Sequence, residues 1–470
     1  MVSMDNGVAG VTEFERMEAG IDALKRAVIE ARAALAGSPS VDFRAAEARI
    51  LDHVARISCD ALAATLAAVE PAEPEVEVAG KTYRRMNSPS QGAYFGLHGQ
   101  VRVTRHLYRE VGVRNGATIV PLELRAGLVD GRWTPRAAEA TARLAQAVPS
   151  REAADTAASL GVLPHSRSAL YRLAEKLGQR WEAIGAEAEE ALIASMPVPD
   201  EAHSVSVSVD RVSLPMEEPA SHEASKRTGR KVEVAWRMAY CGVLTLHDTE
   251  GRALSSIRYG RMPDGGRTVL EDALQADLIE LRRRRPELRV VGLADGAAEM
   301  QQMLDRIVAD QDPVAVSLDF WHLTEKLGKA ITATGRSAAT NLSSWKAQLL
   351  SDDRAIERIE TWLRTWTLDF DEAIPEPLHD ALTYIENNRE RMRYASLAEA
   401  GLPIGSGMVE ATCKTLVSVR MKRCGCRWKA PSGQAILNLR SLACSSRWDR
   451  AMALLSASYV QSVNPARRAA

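Results

Sequence analysis

At 470 residues the chain is longer than one ordinary hydrophobic core organises, so two or more domains are expected. Hydrophobic residues make up 46% and charged residues 26%, which excludes a disordered chain, and no window approaches the roughly 20 apolar residues of a bilayer span. With 60 basic against 61 acidic residues the net charge is −1, so a globally basic nucleic-acid binder is excluded and any DNA surface must be local.

The cysteines, at 59, 241, 413, 424, 426 and 444, form no CxxC pair, and the N-terminus lacks a basic region followed by an apolar stretch. Reduced thiols, a cytoplasmic location and no membrane association are expected.

Residues 12–70 read as helix, with Phe43, Ala46, Ile50, Val54 and Ile57 at spacings of three and four. PAEPEVEVAG (71–80) reads as a linker and the alternating stretch 81–113 as a small β element. Helical patterning resumes near Pro135. Within it, 150–178 has the form of a helix-turn-helix: a helix over 151–160, Gly161, a short turn with Pro164, and Ser166 capping a second helix to 177. In a major groove that helix would present Ser166, Arg167 and Ser168 to base edges. An ordinary helical hairpin explains the pattern equally well.

From His203 the pattern changes. SVSVSVDRV (204–212) alternates with period two, the pattern of a strand that ends on an acid, Asp210. A basic turn with Lys226, Arg227 and Arg230, expected to contact DNA, leads to two further strands, VEVAWRMAYCGVLTL (232–246) and ALSSIRYG (253–260). A helix over 268–284, the apolar strand LRVVGLAD (288–295), a helix over 297–309 and the strand VAVSLDFWH (314–322) follow. Three strands, helix, strand, helix, strand is the order of a ribonuclease-H-like α/β sheet, whose first and fourth strands are neighbours. After His322 the pattern is helical to about 393, with Trp321, Trp345, Trp362 and Trp366 at or inside it. A glycine-rich turn, LPIGSG (402–407), then opens a helix bearing Glu410.

On that sheet Asp210 and Asp295 would approach each other, and Glu410 on a helix packed across the edge would complete three hard oxygen ligands. Such a set suits two Mg²⁺ (or Mn²⁺) ions about 3.5–4 Å apart, the arrangement that drives in-line phosphoryl transfer. Taken singly, each aspartate is as readily a turn former. Asp319 and His322 are expected as neighbours of the site. Ser406 would cap the Glu410 helix or offer a phosphate contact. Glu410, Lys414 and Val417 fall on one helical face. Within 414–429, Lys414, Arg420, Lys422, Arg423, Arg427 and Lys429 meet no acidic residue, so this is the expected track along a DNA backbone.

SVDRVSLPM, LADGAAEM, LDFWHLTEKL and above all LPIGSGMVEATCKTLVSVRMKRCGCRW resemble the ISKra-type insertion-sequence transposases, relatives of the Mutator-like group. The resemblance covers roughly residues 80–445. It implies an Asp-Asp-Glu triad of Asp210, Asp295 and Glu410, and an all-helical insertion between the second and third acids. It also implies a bacterial, nucleoid-associated enzyme that cleaves and joins DNA at terminal inverted repeats, as a homodimer or higher oligomer on double-stranded terminal and target DNA. Similar proteins often carry a cysteine-bearing ribbon where this chain has HLYREVGVRNGATIVPLE, so here the β element must be held by its own packing. The expected division is a helical region (1–75), a DNA-binding region (76–200), the first part of the catalytic domain (201–322), the insertion (323–400), the catalytic helix with its basic segment (401–445) and a tail (446–470). A transposase-derived regulator without activity and a ribonuclease-H-like nuclease are the alternatives. A covalent recombinase using Tyr459 is disfavoured, because no array of Arg and His surrounds it in the sequence.

Overall fold

The computed structural model describes residues 12–220, 231–263, 265–371 and 373–466. It is mixed α and β, with two five-stranded sheets and a two-stranded hairpin. The chain divides into two compact units, residues 1–177 with 452–470, and residues 178–451. No helix of the described residues is long and apolar enough to cross a membrane.

In the first unit the N-terminal helical stretch is two helices, Glu13–Leu35 and Phe43–Ala67. Gly37, at φ +79°, and Pro39 interrupt it. The expected linker contains strand β1 (Glu75–Val78), because its Glu-Val-Glu-Val alternation buries Val76 and Val78. β1 pairs with β2 (Lys81–Arg85). β3 (Ser90–Phe95) and β4 (Gln100–Arg105) form the hairpin, and β5 (Tyr108–Glu110) and β6 (Thr118–Ile119) extend the β1 sheet. The β element is not held by its own packing alone: Tyr94, Val101 and Val103 share a core with Ala63 and Leu66 of the second helix.

The predicted helix pair is present as Ser150–Ser159 and Arg167–Ser195. The second helix runs past its expected end and is broken at Gly185 (φ 29°, ψ −117°). Its turn is anchored: Leu163 N–H donates to Leu97 O, and the His165 ring lies 4.6 Å from Phe95 and 4.9 Å from Trp133. Burial lowers the His165 pKa, against a hydrogen bond to Gly96 O.

The second unit is built on β7 (Ser204–Pro219), β8 (Val232–His247), β9 (Ala253–Arg261), β10 (Arg289–Ala294) and β11 (Ala315–Leu318), in the order β11-β10-β7-β8-β9. The first three are antiparallel, whereas β10 runs parallel to β7 and β11 parallel to β10. Residues 289–294 are almost wholly buried, as expected of a parallel strand covered on both faces. Helices Gly266–Arg284 and Ala298–Val308 bury Leu270, Leu274, Leu278, Met303 and Ile307 against Val205, Val207 and Val209. β7 does not end near Asp210; it stays paired with β8 as far as Pro219 opposite Val232.

Helices Phe320–Ala333, Ala338–Leu349, Ala355–Thr367 and Glu376–Asn388 share a separate core in which buried Trp345 stacks on Trp362 (5.9 Å) and Trp366 (5.3 Å). The residues expected as a tail instead form helix Trp448–Ala457 and β12 (Asn464–Pro465), which pairs with β1.

Candidate functional site

Asp210 and Asp295 come together because β7 and β10 are adjacent and parallel. Leu293 stands opposite Ser208, and each aspartate lies two residues further on. Asp210 Oδ1 accepts from Arg211 N–H at 2.6 Å, and Oδ2 from the Cys413 thiol at 3.5 Å. Burial raises the Asp210 pKa; Arg211 N–H opposes this, the Asp295 charge reinforces it, and Cys413 and His322 pull it down. Asp295 is fixed by its own turn, with Ala297 N–H on Oδ1 at 3.0 Å and the Tyr384 hydroxyl on its carbonyl at 2.7 Å. Gly296 makes that turn with φ +95°, and a Cβ there would lie 2.6 Å from the Tyr384 ring.

Glu410 sits on helix Gly407–Thr412, which continues through a π-helical turn, Cys413–Ser418, into Val419–Met421. Its side chain is exposed. Cys413, three residues on and therefore on the same side of the helix, touches Asp210, so Glu410 belongs to the helix that closes this side of the pair. Cys241 is the cross-strand partner of Asp210. Its hydrogen bond with Cys413, ahead of burial and the Asp210 charge, pushes the Cys413 thiol well up, so it remains a proton donor to the carboxylate.

The donor set of Asp210 and Asp295 fits a hard divalent cation: two adjacent oxygen ligands, one destabilised as an anion by burial and by the other's charge. Among the described residues, however, no group of three or more His, Cys, Asp or Glu side chains is close enough to hold a metal ion. Glu410 does not complete the set in this conformation.

Asp319 is fully buried, capping helix Phe320–Ala333 through His322 N–H (2.5 Å) and also accepting from Ser406 N–H. Both oxygens are thus engaged by backbone, and the residue clamps the glycine-rich turn in place. This corrects the expectation for Ser406: it is buried and its N–H is taken, so it offers no exposed phosphate contact. His322 is half-buried with its ring 6.4 Å from Tyr384.

Lys414, Lys422, Arg423, Arg427 and Lys429 are exposed, Lys429 lying 3.6 Å from Glu217. Arg420 is removed from the expected DNA track: it is buried, its guanidinium 5.2 Å from the Trp428 ring. Val417 is buried too and does not share the exposed side of Glu410 and Lys414, because the π turn adds a residue to the helical repeat. Ser166, Arg167 and Ser168 are exposed at the start of their helix, with Ser166 Oγ accepting from Ala169 N–H at 3.3 Å. Lys226, Arg227 and Arg230 lie outside the described residues.

Sequence reasoning missed Tyr384, Cys241 and Cys413. It also missed Glu299, which accepts from Arg211 (2.5 Å) and Tyr240 (2.9 Å) and braces the back of β7. Of these only Cys413 carried a signal, since a reduced cysteine inside the most distinctive motif invited the question of what it touches.

No family model matches the chain, and no curated protein matches it. A solved structure described as "Drosophila P element transposase strand transfer complex" aligns with 14% identity over 70% of this chain and 82% of that one, at a TM-score of 0.25. An alignment that loose leaves the reading to the chain's own geometry.

Proposed function

We propose that the second unit is a ribonuclease-H-like catalytic centre interrupted by a helical insertion, and that the chain is an Asp-Asp-Glu DNA transposase acting at terminal inverted repeats. The observation that carries this is the juxtaposition of Asp210 and Asp295 on adjacent parallel strands, with the Glu410 helix held against Asp210 by Cys413. Asp210, Asp295 and Glu410 would hold two Mg²⁺ or Mn²⁺ ions. Bound there, such ions supply activation of a water or 3′-hydroxyl nucleophile and stabilisation of the leaving oxygen. The chain's own residues prepare the centre. Arg211 N–H and the Cys413 thiol fix the orientation of Asp210, Tyr384 fixes the Asp295 turn, and Glu410 would supply the third carboxylate. The exposed cations from Lys414 to Lys429 are the proposed backbone track, and Ser166, Arg167 and Ser168 the proposed base-reading turn.

The test combines purified protein and Mg²⁺ with labelled DNA from the ends of the surrounding element. Wild type should give sequence-specific 3′-end cleavage, and Asp210→Asn and Glu410→Gln should each lose at least about a hundredfold in rate. Equal cleavage by Glu410→Gln removes Glu410 from the centre. Because Glu410 stands away from the aspartate pair, a transposase-derived DNA-binding regulator is the second reading. It would bind the ends and cut nothing, whereas a ribonuclease-H-like nuclease would cut without regard to terminal sequence.

A further inference from the structure

β7 and β8 remain paired as a two-stranded ribbon well past the point where β9 leaves β8 at Tyr240. No other strand of the described residues lines the outer side of β8 from Val232 to Ala239. Along that edge Val232, Val234, Trp236 and Met238 alternate on one face, and all four are exposed, Trp236 by 61% and Val234 by 44%. Protein edges of this kind are normally blunted by lysine, proline or a bulge. This one has none of them between 232 and 239 and presents an apolar stripe, the form that accepts an added strand.

The identity of the added strand follows from the edge itself. Laid antiparallel on a copy of itself and centred on Ala235, it sets Val232 opposite Met238, Val234 opposite Trp236 and Glu233 opposite Arg237. From 232 to 238 every apolar side chain meets an apolar one and both charged residues meet their opposites, while Ala239 meets Lys231 at the end of the edge. A slip of one residue places the two apolar stripes on opposite faces. A slip of two in either direction sets Glu233 against alanine. Arg237 is already oriented by Glu218, which accepts two hydrogen bonds from it at 2.6 and 2.7 Å, so its guanidinium is fixed on the face that Glu233 of a second copy would approach.

We infer that Val232–Ala239 is a self-complementary docking edge, pairing antiparallel with the same edge of a second copy of this chain, centred on Ala235, so that two protomers share one four-stranded ribbon. The pairing needs neither metal nor DNA, and its failure is therefore separable from failure of the catalytic reading.

The experiment uses the full chain without DNA. Sedimentation across a micromolar concentration series should show a reversible dimer. Glu233→Arg should weaken it at least tenfold, Arg237→Glu likewise, and an equimolar mixture of the two should restore it, since each then meets its complement across the axis. Circular dichroism checks that the Arg237→Glu chain, which also loses its Glu218 partner, is folded. Independently, Ala235→Cys treated with copper phenanthroline should crosslink through residue 235 to itself, mapped by mass spectrometry against equally treated wild type. A monomer at every concentration, or a dimer indifferent to Glu233→Arg, overturns the inference. So does a Trp236→Ser chain that keeps its dimer but loses DNA affinity, because the stripe, with Lys422 Nζ 5.9 Å from the Trp236 ring, would then be a DNA contact.

Discussion

Asp319 shows why a strand-end acid beside the proposed centre need not be a reacting one. One oxygen caps a helix and the other holds the Ser406 N–H that starts the Glu410 helix, so its role is to position. Asp319→Ala would leave a buried N–H without a partner as well as an uncapped helix. We expect a loss of about 2–4 kcal/mol in urea unfolding, with cleavage falling further than folding accounts for. At Gly296 the constraint is steric: Ala there combines a left-handed φ with a clash against Tyr384. Gly296→Ala should cost about 1–3 kcal/mol and lower cleavage, while Tyr384→Phe, which removes only the hydroxyl, should cost about 1 kcal/mol.

At the level of single elements, the helix carrying Glu410 is the least regular in the centre. Its π turn shifts backbone carbonyls out of the usual ladder, and buried Arg440, from helix Ala430–Cys444, donates to Leu416 O (2.6 Å) and Thr415 O. Burial works against the charge of Arg440, and these carbonyls are among the partners that accept its hydrogen bonds. Arg440→Met should strand two carbonyls and cost about 2–4 kcal/mol by chemical denaturation. If the turn then relaxes to α-helix, Cys413 leaves Asp210. A rise in its alkylation rate under native conditions would show this, and an unchanged rate would mean the π turn does not depend on Arg440.

For the whole molecule, the second unit carries a buried polar knot away from the aspartates. The Tyr259 hydroxyl lies 2.8 Å from Asp277 and 3.1 Å from Glu189, with one proton to donate between them, and Arg447 donates to Glu189, Tyr259 and Asp277. Burial raises Asp277 to about 6 despite Arg447, since one guanidinium serves two carboxylates. An acid whose folded pKa exceeds its unfolded value of about 3.9 holds its proton more tightly when folded. Its contribution therefore grows as pH falls from 7 through about 6 toward 4, by at most about 3 kcal/mol. Urea unfolding at pH 7 and pH 5 should show wild type gaining more on acidification than Asp277→Asn; an identical gain would place the titration elsewhere.

The strands and helices of the second unit, and the candidacy of Asp210 and Asp295, were legible in sequence because period-two and period-3.6 burial are local consequences of which side chains face a core. The order β11-β10-β7-β8-β9, which brings Asp210 and Asp295 together, is a property of long-range pairing, and so is the continuation of β7 to Pro219, beyond Arg211 where the serine–valine alternation breaks. Nor could the sequence alone tell which cations stay in water: Arg420 and Lys422 are two residues apart, yet one lies against Trp428 and the other is exposed. A side chain's charge is written in the chain, but whether it is solvated, paired or spent on a carbonyl depends on neighbours that only folding supplies.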